Sequence, residues 1–351
     1  MRILIVSPTL NYGGAERVAS LWADGFIRNG HEVYFVTNIE KNAAYSTSAP
    51  LLPLTPSHGT KIYRYIKSVF LLRSYYSKYQ PDIVIGVMYA CSLLAKVASV
   101  GYKTQVICTE HNSFERPVSA PMTKLDWFLK YKVNKLYKCV TVLTEADKQF
   151  IGKRLKNVVV MPNPLALTPT RQIPEKRKTV LAAGRLDVWH TKGFDVLIQA
   201  WSKIVSGSEN QASGSQLDGW RLLLAGTGSE ESQNYLKQLC KDNGVEDSVE
   251  FLGFQKDVEK MYQNAEIFVL SSRYEGFGLV LIEAMSQGCA CVACDYKGRQ
   301  REIIQDDSQG LVCEPDNVEA LADALAKVMT NEKYRKEIQE NAIERSKYYS
   351  I

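Results

Sequence analysis

No run of apolar residues in this sequence approaches the roughly 20 that a membrane-spanning helix requires, which excludes a helical transmembrane protein. The opening "MRILIVSPTL" carries an apolar run too short for a secretory signal and lacks a small-residue cleavage site, so it reads as a first buried strand. Paired cysteines are missing as well. The eight cysteines stand singly in apolar runs such as "VICTE" and "KCVTVL", as reduced cysteines do in cytosolic cores. "CACVAC" (289–294) has a metal-like look, but its alternation with Ala and Val fits a buried strand better. The first strand is not followed by the dinucleotide fingerprint G-x-G-x-x-G, and no acidic residue closes the second strand where that fingerprint needs one.

What is present points to two domains, because 351 residues exceed one ordinary core. The charge is divided unevenly. Residues 1–165 hold 21 Lys and Arg against 10 Asp and Glu, a net of +11, while residues 166–351 hold 22 against 28, a net of −6, which together make the overall +5. Such asymmetry indicates that the first half meets something anionic: a membrane surface, nucleic acid or a phosphorylated substrate.

The same grammar runs through both halves. The first alternates "RILIVSP", helix 14–29, "EVYFVTN", helix 60–79, "PDIVIGV", helix 91–100, "TQVICTEH", helix 122–138, "CVTVLTE", helix 145–154 and "VVVMPNP". After the polar linker "TPTRQIPEKRK" (168–178) come "TVLAAGRL", helix 192–205, "WRLLLAG", helix 229–243, "VEFLGF", helix 257–263, "IFVLSS", helix 279–287, "CACVAC", "GLVCEP" and helix 317–329. Strands alternating with helices imply parallel sheets covered on both faces. The expected fold class is therefore α/β, two doubly wound Rossmann-like domains facing a central cleft, with domains at 1–165 and 166–335. Residues 336–351, ending in "ERSKYYSI", are expected to start a C-terminal helix that returns to the first domain. The insert 206–219 is polar, of low complexity, and expected to be a surface loop without chemistry.

Ligand sites in open α/β sheets lie beyond the carboxyl ends of the strands. In "PTLNYGGAERVA", Gly13 and Gly14 let backbone approach a ligand at a helix start, a candidate phosphate cradle that is equally a plain turn. In "AAGRLDVWHTKGFD", Arg185 ends a strand and Lys192 stands before Gly193 at the mouth of the next helix. Solvated surface charge is the usual fate of such residues. Here two cations converge on one loop, as a bound diphosphate would require, and "LLLAGTGSE" adds a glycine turn at Gly226. "YEGFGLVLIEAMSQG" (274–288) follows a buried strand and sets Glu275 on a turn and Glu283 two helical turns further on.

These motifs, with "FLGF" at Phe254, resemble the retaining GT-B glycosyltransferases of the large bacterial family four, whose E-x7-E signature matches Glu275 and Glu283. "GGAERV" and "TEHN" match the subset that builds capsule, lipopolysaccharide and lipid-linked oligosaccharides. The resemblance implies that Glu283 accepts hydrogen bonds from the ribose hydroxyls of a nucleotide. It implies that Glu275 holds a donor-sugar hydroxyl. The turn Gly276, Phe277, Gly278 and Leu279 would favour the diphosphate at a helix N-terminus. His111, in "CTEHNSF", would reach the donor sugar near the reacting carbon; His31, His58 and His190 receive no role. No Asp-x-Asp follows a strand, so no metal and no cofactor is expected. Arg185 and Lys192 would stabilise the leaving diphosphate instead. A uridine diphosphate donor is expected, GDP-mannose being the second choice, and the acceptor is expected to be a polyprenyl-diphosphate-linked glycan. A sugar-nucleotide epimerase and a non-catalytic nucleotide-sugar-binding subunit are the alternatives.

The basic first half has its own reading. On a helical wheel, 122–138 puts Leu125, Leu129, Val133 and Leu136 on a core side and Lys124, Trp127, Phe128, Tyr131, Lys135 and Lys138 opposite. Helix 60–79 sets Lys61, Arg64, Lys67 and Lys78 against Ile62, Ile66, Val69 and Phe70. Cations mixed with aromatics suit an anionic membrane surface better than plain solvent. The expected setting is the inner face of the plasma membrane, with the protein a monomer or weak dimer and nucleic acid not a partner.

Overall fold

A computed structural model describes the chain except for residues 12, 40–42, 56–59, 119 and 210–216. It divides into two units, Met1–Pro164 with Ile351, and Leu165–Ser350. His58 and half of the insert 206–219, residues 210–216, lie outside the described residues.

The first unit contains strands β1 (Arg2–Val6), β2 (Glu32–Thr37), β3 (Leu51–Pro53), β4 (Ile83–Val87), β5 (Gln105–Thr109), β6 (Cys139–Val142) and β7 (Val158–Val160). They form one sheet in the order β3-β2-β1-β4-β5-β6-β7, and every pairing is parallel. Parallel neighbours require crossovers, and these carry α1 (Gly14–Arg28), α2 (Lys61–Tyr79), α3 (Met88–Ala98), α4 (Lys124–Tyr131) and α5 (Glu145–Ile151). Because helices cover a parallel sheet, its strands are continuous apolar runs: Ile3, Leu4, Ile5 and Val6 are all buried. Threonines start three helices, Thr60, Thr123 and Thr144 each accepting a first-turn backbone N–H.

The second unit repeats the scheme with β8 (Arg177–Ala183), β9 (Arg221–Ala225), β10 (Val249–Gly253), β11 (Ala265–Leu270), β12 (Ala290–Cys294) and β13 (Leu311–Cys313). The sheet order is β10-β9-β8-β11-β12-β13, again parallel. Its helices are α6 (Trp189–Lys192), α7 (Phe194–Glu209), α8 (Glu230–Asp242), α9 (Val258–Asn264), α10 (Leu279–Ser286), α11 (Val318–Thr330) and α12 (Glu332–Ser346). The core centres on Trp201, Phe194, Leu222 and Ile267. "CACVAC" is indeed strand: Ala290–Cys294 pairs with β11 and β13 and is wholly buried. All eight cysteines are free thiols. Among the described residues no helix is long and apolar enough to cross a membrane.

Three expectations need correction. The short edge strand β3 was not foreseen. The start of the supposed loop 206–219 continues α7 to Glu209. The helix expected over 122–138 stops at Tyr131 and gives way to a 3-10 turn, Val133–Leu136. Past the break, Asn157 donates its amide to the carbonyls of Asn134 (3.0 Å) and Tyr137 (2.9 Å), acceptors that a continuing helix would use. The expected stripe fails too, already within α4. Leu125 and Leu136 are exposed, whereas Lys130, Tyr131, Asn134 and Tyr137 point inward.

Candidate active site

In the second sheet the chain reverses direction of growth between β8 and β11, so the loops leaving those two strands lie side by side. Gly193 makes the approach feasible. Its φ is +64°, and a Cβ there would stand 2.0 Å from the carbonyl oxygen of Ser271 at the end of β11. Ser271 Oγ donates to the Lys192 carbonyl (2.8 Å), and the Arg273 N–H donates to the Thr191 carbonyl (2.9 Å). Lys192 is thereby aimed across the loop: its Nζ lies 2.6 Å from Glu275 Oε1, which also accepts from Ser272 Oγ at 2.8 Å. Both side chains keep partial exposure, 23% and 16%, so a ligand can reach the pair.

Arg273, which sequence reasoning missed, holds this junction together. Its two terminal guanidinium nitrogens donate to the Asp195 carboxylate (2.7 and 2.8 Å), Nη1 also reaches the His190 carbonyl, and Nε bridges to Asp316. The third glycine loop joins from β9. Gly226 has φ +138°, and a Cβ on it would be 1.9 Å from the Gly184 carbonyl. Asp187 then caps the Ser229 N–H (2.6 Å), tying the "GRLD" and "AGTG" turns to one another. Arg185 is exposed at the same strand end, close enough to Asp187 to help hold that carboxyl below the usual range, though the Ser229 backbone bond is the larger cause.

Glu275 and Glu283 occupy different environments. Gly278, at φ +103°, caps α10, so Leu279 begins the helix and Glu283 falls on its inner face with 1% exposure. Tyr262 Oη stands 3.5 Å from Glu283 Oε2. Phe277 is buried against the Tyr349 ring, its carbonyl accepting from Gln300 Nε2 at 3.3 Å, while Gly276 beside it is half-buried. Phe254, just past β10, is exposed.

In the first unit His111 leaves β5 with Nε2 3.1 Å from Thr109 Oγ1 and its ring 5.7 Å from that of Trp22. Burial pushes its pKa down to about 4, against the opposing effect of a hydrogen bond with Asn163, so the imidazole is neutral at pH 7. Buried polar groups on either side, unnoticed in the sequence, fix the loop. Glu110 receives Lys130 Nζ (2.8 Å) and Asn134 Nδ2 (3.1 Å), and Asp147 receives Ser113 Oγ and the Phe114 N–H, both at 2.8 Å. The Thr144-x-x-Asp147 spacing was a legible helix-start signal; the Glu110–Lys130 pair had none. Gly13, extended at φ −173°, caps α1 ahead of Gly14, but a Cβ there would be 2.1 Å from Glu16 Oε2. A carboxylate thus already occupies the N-terminus proposed as a phosphate cradle.

The outer face of the first unit also differs from expectation. Tyr131 is buried against Phe114 and Arg154, and Arg64 is half-buried with Nη2 on Thr55 Oγ1 (3.2 Å), so neither belongs to an outward patch. Exposed instead are Leu125, Trp127, Phe128 and Leu136 among Lys124, Lys132, Lys135 and Lys138, and on α2 Ile62, Tyr63, Tyr65, Ile66 and Phe70 beside Lys67. Burial raises the Tyr137 pKa, with a small further push from Tyr65 of α2.

The model of a family described as "Glycosyl transferases group 1" matches residues 167–345, half of the chain. The chain belongs to this glycosyltransferase family. A second model, described as Glycosyltransferase Family 4, matches residues 12–168 of the glycosyltransferase. A Campylobacter jejuni protein named as a diphospho-undecaprenol-linked glycan alpha-1,4-N-acetyl-D-galactosaminyltransferase is 26% identical, the match spanning 100% of this chain and 95% of its own. The amylovoran biosynthesis glycosyltransferase of Erwinia amylovora is 27% identical over 99% of this chain and 95% of its own. Among solved structures, Anabaena HepE, crystallised with UDP and glucose, superposes with a TM-score of 0.79 at 18% identity, covering 100% of this chain and 96% of that one. At that identity the likeness shows the fold alone, and the glycosyltransferase has the GT-B α/β fold of two Rossmann-like domains.

Proposed function

We propose that this glycosyltransferase moves a sugar from a UDP-sugar to a growing lipid-linked glycan, with retention of anomeric configuration and without a metal, in bacterial surface polysaccharide assembly. The observation that carries the reading is the Lys192–Glu275–Ser272 cluster at the switch point of the second sheet. In the donor complex Lys192 turns to the diphosphate and stabilises the charge that develops as it leaves. Glu275, released from the ammonium, takes a donor-sugar hydroxyl. Glu283 accepts the ribose hydroxyls, a task suited to a two-oxygen acceptor, and the N-terminus of α10 faces the diphosphate. Arg185 and Gly226 complete the phosphate side, Phe254 the base side, and His111 acts on the sugar as a neutral hydrogen-bonding group. The undecaprenol-linked substrate in the Campylobacter relative's name and the UDP in the HepE crystals support the acceptor and the nucleotide chosen. Donor turnover with a UDP-sugar panel, with and without a polyprenyl-diphosphate glycan and in excess EDTA, is the test. Consumption that requires acceptor and survives EDTA is expected. Turnover without acceptor points to the epimerase, silence in both to a binding subunit, and EDTA loss reversed by Mn²⁺ rules out the metal-free route.

The same reading places the protein at the inner face of the plasma membrane. Trp127 and Phe128, 46% and 52% exposed among lysines, support it, since a merely solvated face would not carry both. At about 1 kcal/mol for each basic residue near an anionic leaflet, a handful suffices for reversible docking. The protein is expected to co-sediment with anionic vesicles at low salt and to release as salt rises. Changing Lys124, Lys135 and Lys138 together to Glu abolishes the effect; indifference to that change, or equal binding to neutral vesicles, defeats the docking model.

A further inference from the structure

Lys176 precedes β8, and its ammonium is surrounded by backbone. Nζ lies 3.1 Å from the carbonyl oxygen of Tyr262, 3.2 Å from Gln263, 3.0 Å from Ala265 and 3.1 Å from Gln287. Tyr262 and Gln263 lie in the last turn of α9, Ala265 caps that end as β11 begins, and Gln287 caps the C-terminal end of α10. A helix end presents unsatisfied carbonyls and the negative pole of its dipole. Two such ends converge here on one cation. An ammonium has three N–H donors, so four oxygens at near-equal distance share them, an arrangement resembling the carbonyl cages that strip a monovalent cation of its water.

The cage is joined to the site. Tyr262, a cage residue through its carbonyl, is also the residue whose hydroxyl stands 3.5 Å from Glu283 Oε2. Gln287 caps the helix that carries Glu283, and the Cys289 thiol donates to the same Tyr262 carbonyl at 3.1 Å. We propose that Lys176 is a positioning residue for the nucleotide-binding carboxylate: filling the four-carbonyl cage, it clamps the ends of α9 and α10 together and thereby sets Glu283 against Tyr262. This rests on the assignment of Glu283 to the ribose. Without the charge, the carbonyls of Gln263 and Gln287 lose the ammonium, those of Tyr262 and Ala265 keep only weaker partners such as the Cys289 thiol, and two like dipole ends face each other, so the helices part and Glu283 loses its register.

Calorimetric titration of the full chain with UDP tests this. Lys176→Ala leaves room for a free cation; Lys176→Met fills the space without charge. Both are expected to bind UDP about tenfold more weakly in tetramethylammonium chloride, the scale of one charge-assisted hydrogen bond. Potassium or ammonium chloride at the same ionic strength restores Lys176→Ala, leaves Lys176→Met weak and does not affect the parent. A purely structural lysine would give no such cation selectivity. Tyr262→Phe, which keeps every cage carbonyl, is expected to weaken UDP binding about threefold, the modest loss that suits a long 3.5 Å hydrogen bond, and decides the matter if the lysine variants do not fold. Parent-like binding by Lys176→Ala, a loss indifferent to the cation, or parent-like binding by Tyr262→Phe overturns the proposal. Glu283→Ala is measured alongside. Unchanged UDP binding there sinks the donor-site assignment itself, whereas a loss there with parent-like Lys176→Ala sinks only the role of Lys176.

Discussion

Lys192→Met is expected to slow sugar transfer by about 10²–10³, the range seen when one preorganised electrostatic donor is lost. The substitution removes little else. The loop that carries Lys192 is held by backbone and by other side chains: Ser271 Oγ on the Lys192 carbonyl, the Arg273 N–H on Thr191, and the Arg273 guanidinium on Asp195. None of these bonds involves the lysine ammonium. The Met side chain can follow the same course past Gly184, where the lysine stem now packs. Glu275 loses a partner but keeps Ser272 and is partly exposed, so no deeply buried charge is stranded. The loss should therefore appear in kcat, measured under single-turnover conditions with saturating donor, while the thermal midpoint stays near that of the parent. Lys192→Arg should recover little, because a planar guanidinium does not reproduce a point charge on a flexible stem. A Lys192→Met rate within threefold of the parent would remove Lys192 from the chemistry.

The second large effect is on stability. Lys130 and Glu110 are buried together at 2.8 Å, their side chains 7% and 5% exposed, and the Lys130 ammonium also lies 4.0 Å from the centre of the Phe114 ring. Removing one partner of a buried pair strands the other, a cost of about 3–5 kcal/mol. Lys130→Met is expected to lose that much in urea denaturation, since Asn134 Nδ2 alone then faces the Glu110 carboxylate. Lys130→Met combined with Glu110→Gln buries no net charge and should regain much of the loss. If the double variant is no more stable than the single one, the stranded charge is not the cause. Glu110 is the immediate neighbour of His111, so the single variant should also lower kcat under conditions where it remains folded.

The two effects differ in how far the sequence announced them. Lys192 was visible because a cation before a glycine at a strand end has a small set of uses, and Arg185 and Gly226 repeated the signal. Its engagement with Glu275 was not, since 83 positions separate the two and only the β8–β11 adjacency joins them. Lys130 gave no sign at all. The helical wheel put the apolar residues of 122–138 inward, whereas within α4 itself Lys130 is buried and Leu125 exposed.

What the chain order alone determined is the alternation of strand and helix, the two-domain plan, the glutamate pair and the excess of basic residues in the first half. Each is written locally: parallel strands buried on both faces are continuous apolar runs, and helix starts carry Thr, Ser or Asn. Tertiary structure alone decided which cation meets which carboxylate, that Arg273 locks the Lys192 loop, that Glu16 fills the end of α1 near Gly13, and that Lys176 is caged by carbonyls. Backbone oxygens have no letter in a sequence, and charges distant along the chain acquire partners only when strand order sets their loops side by side.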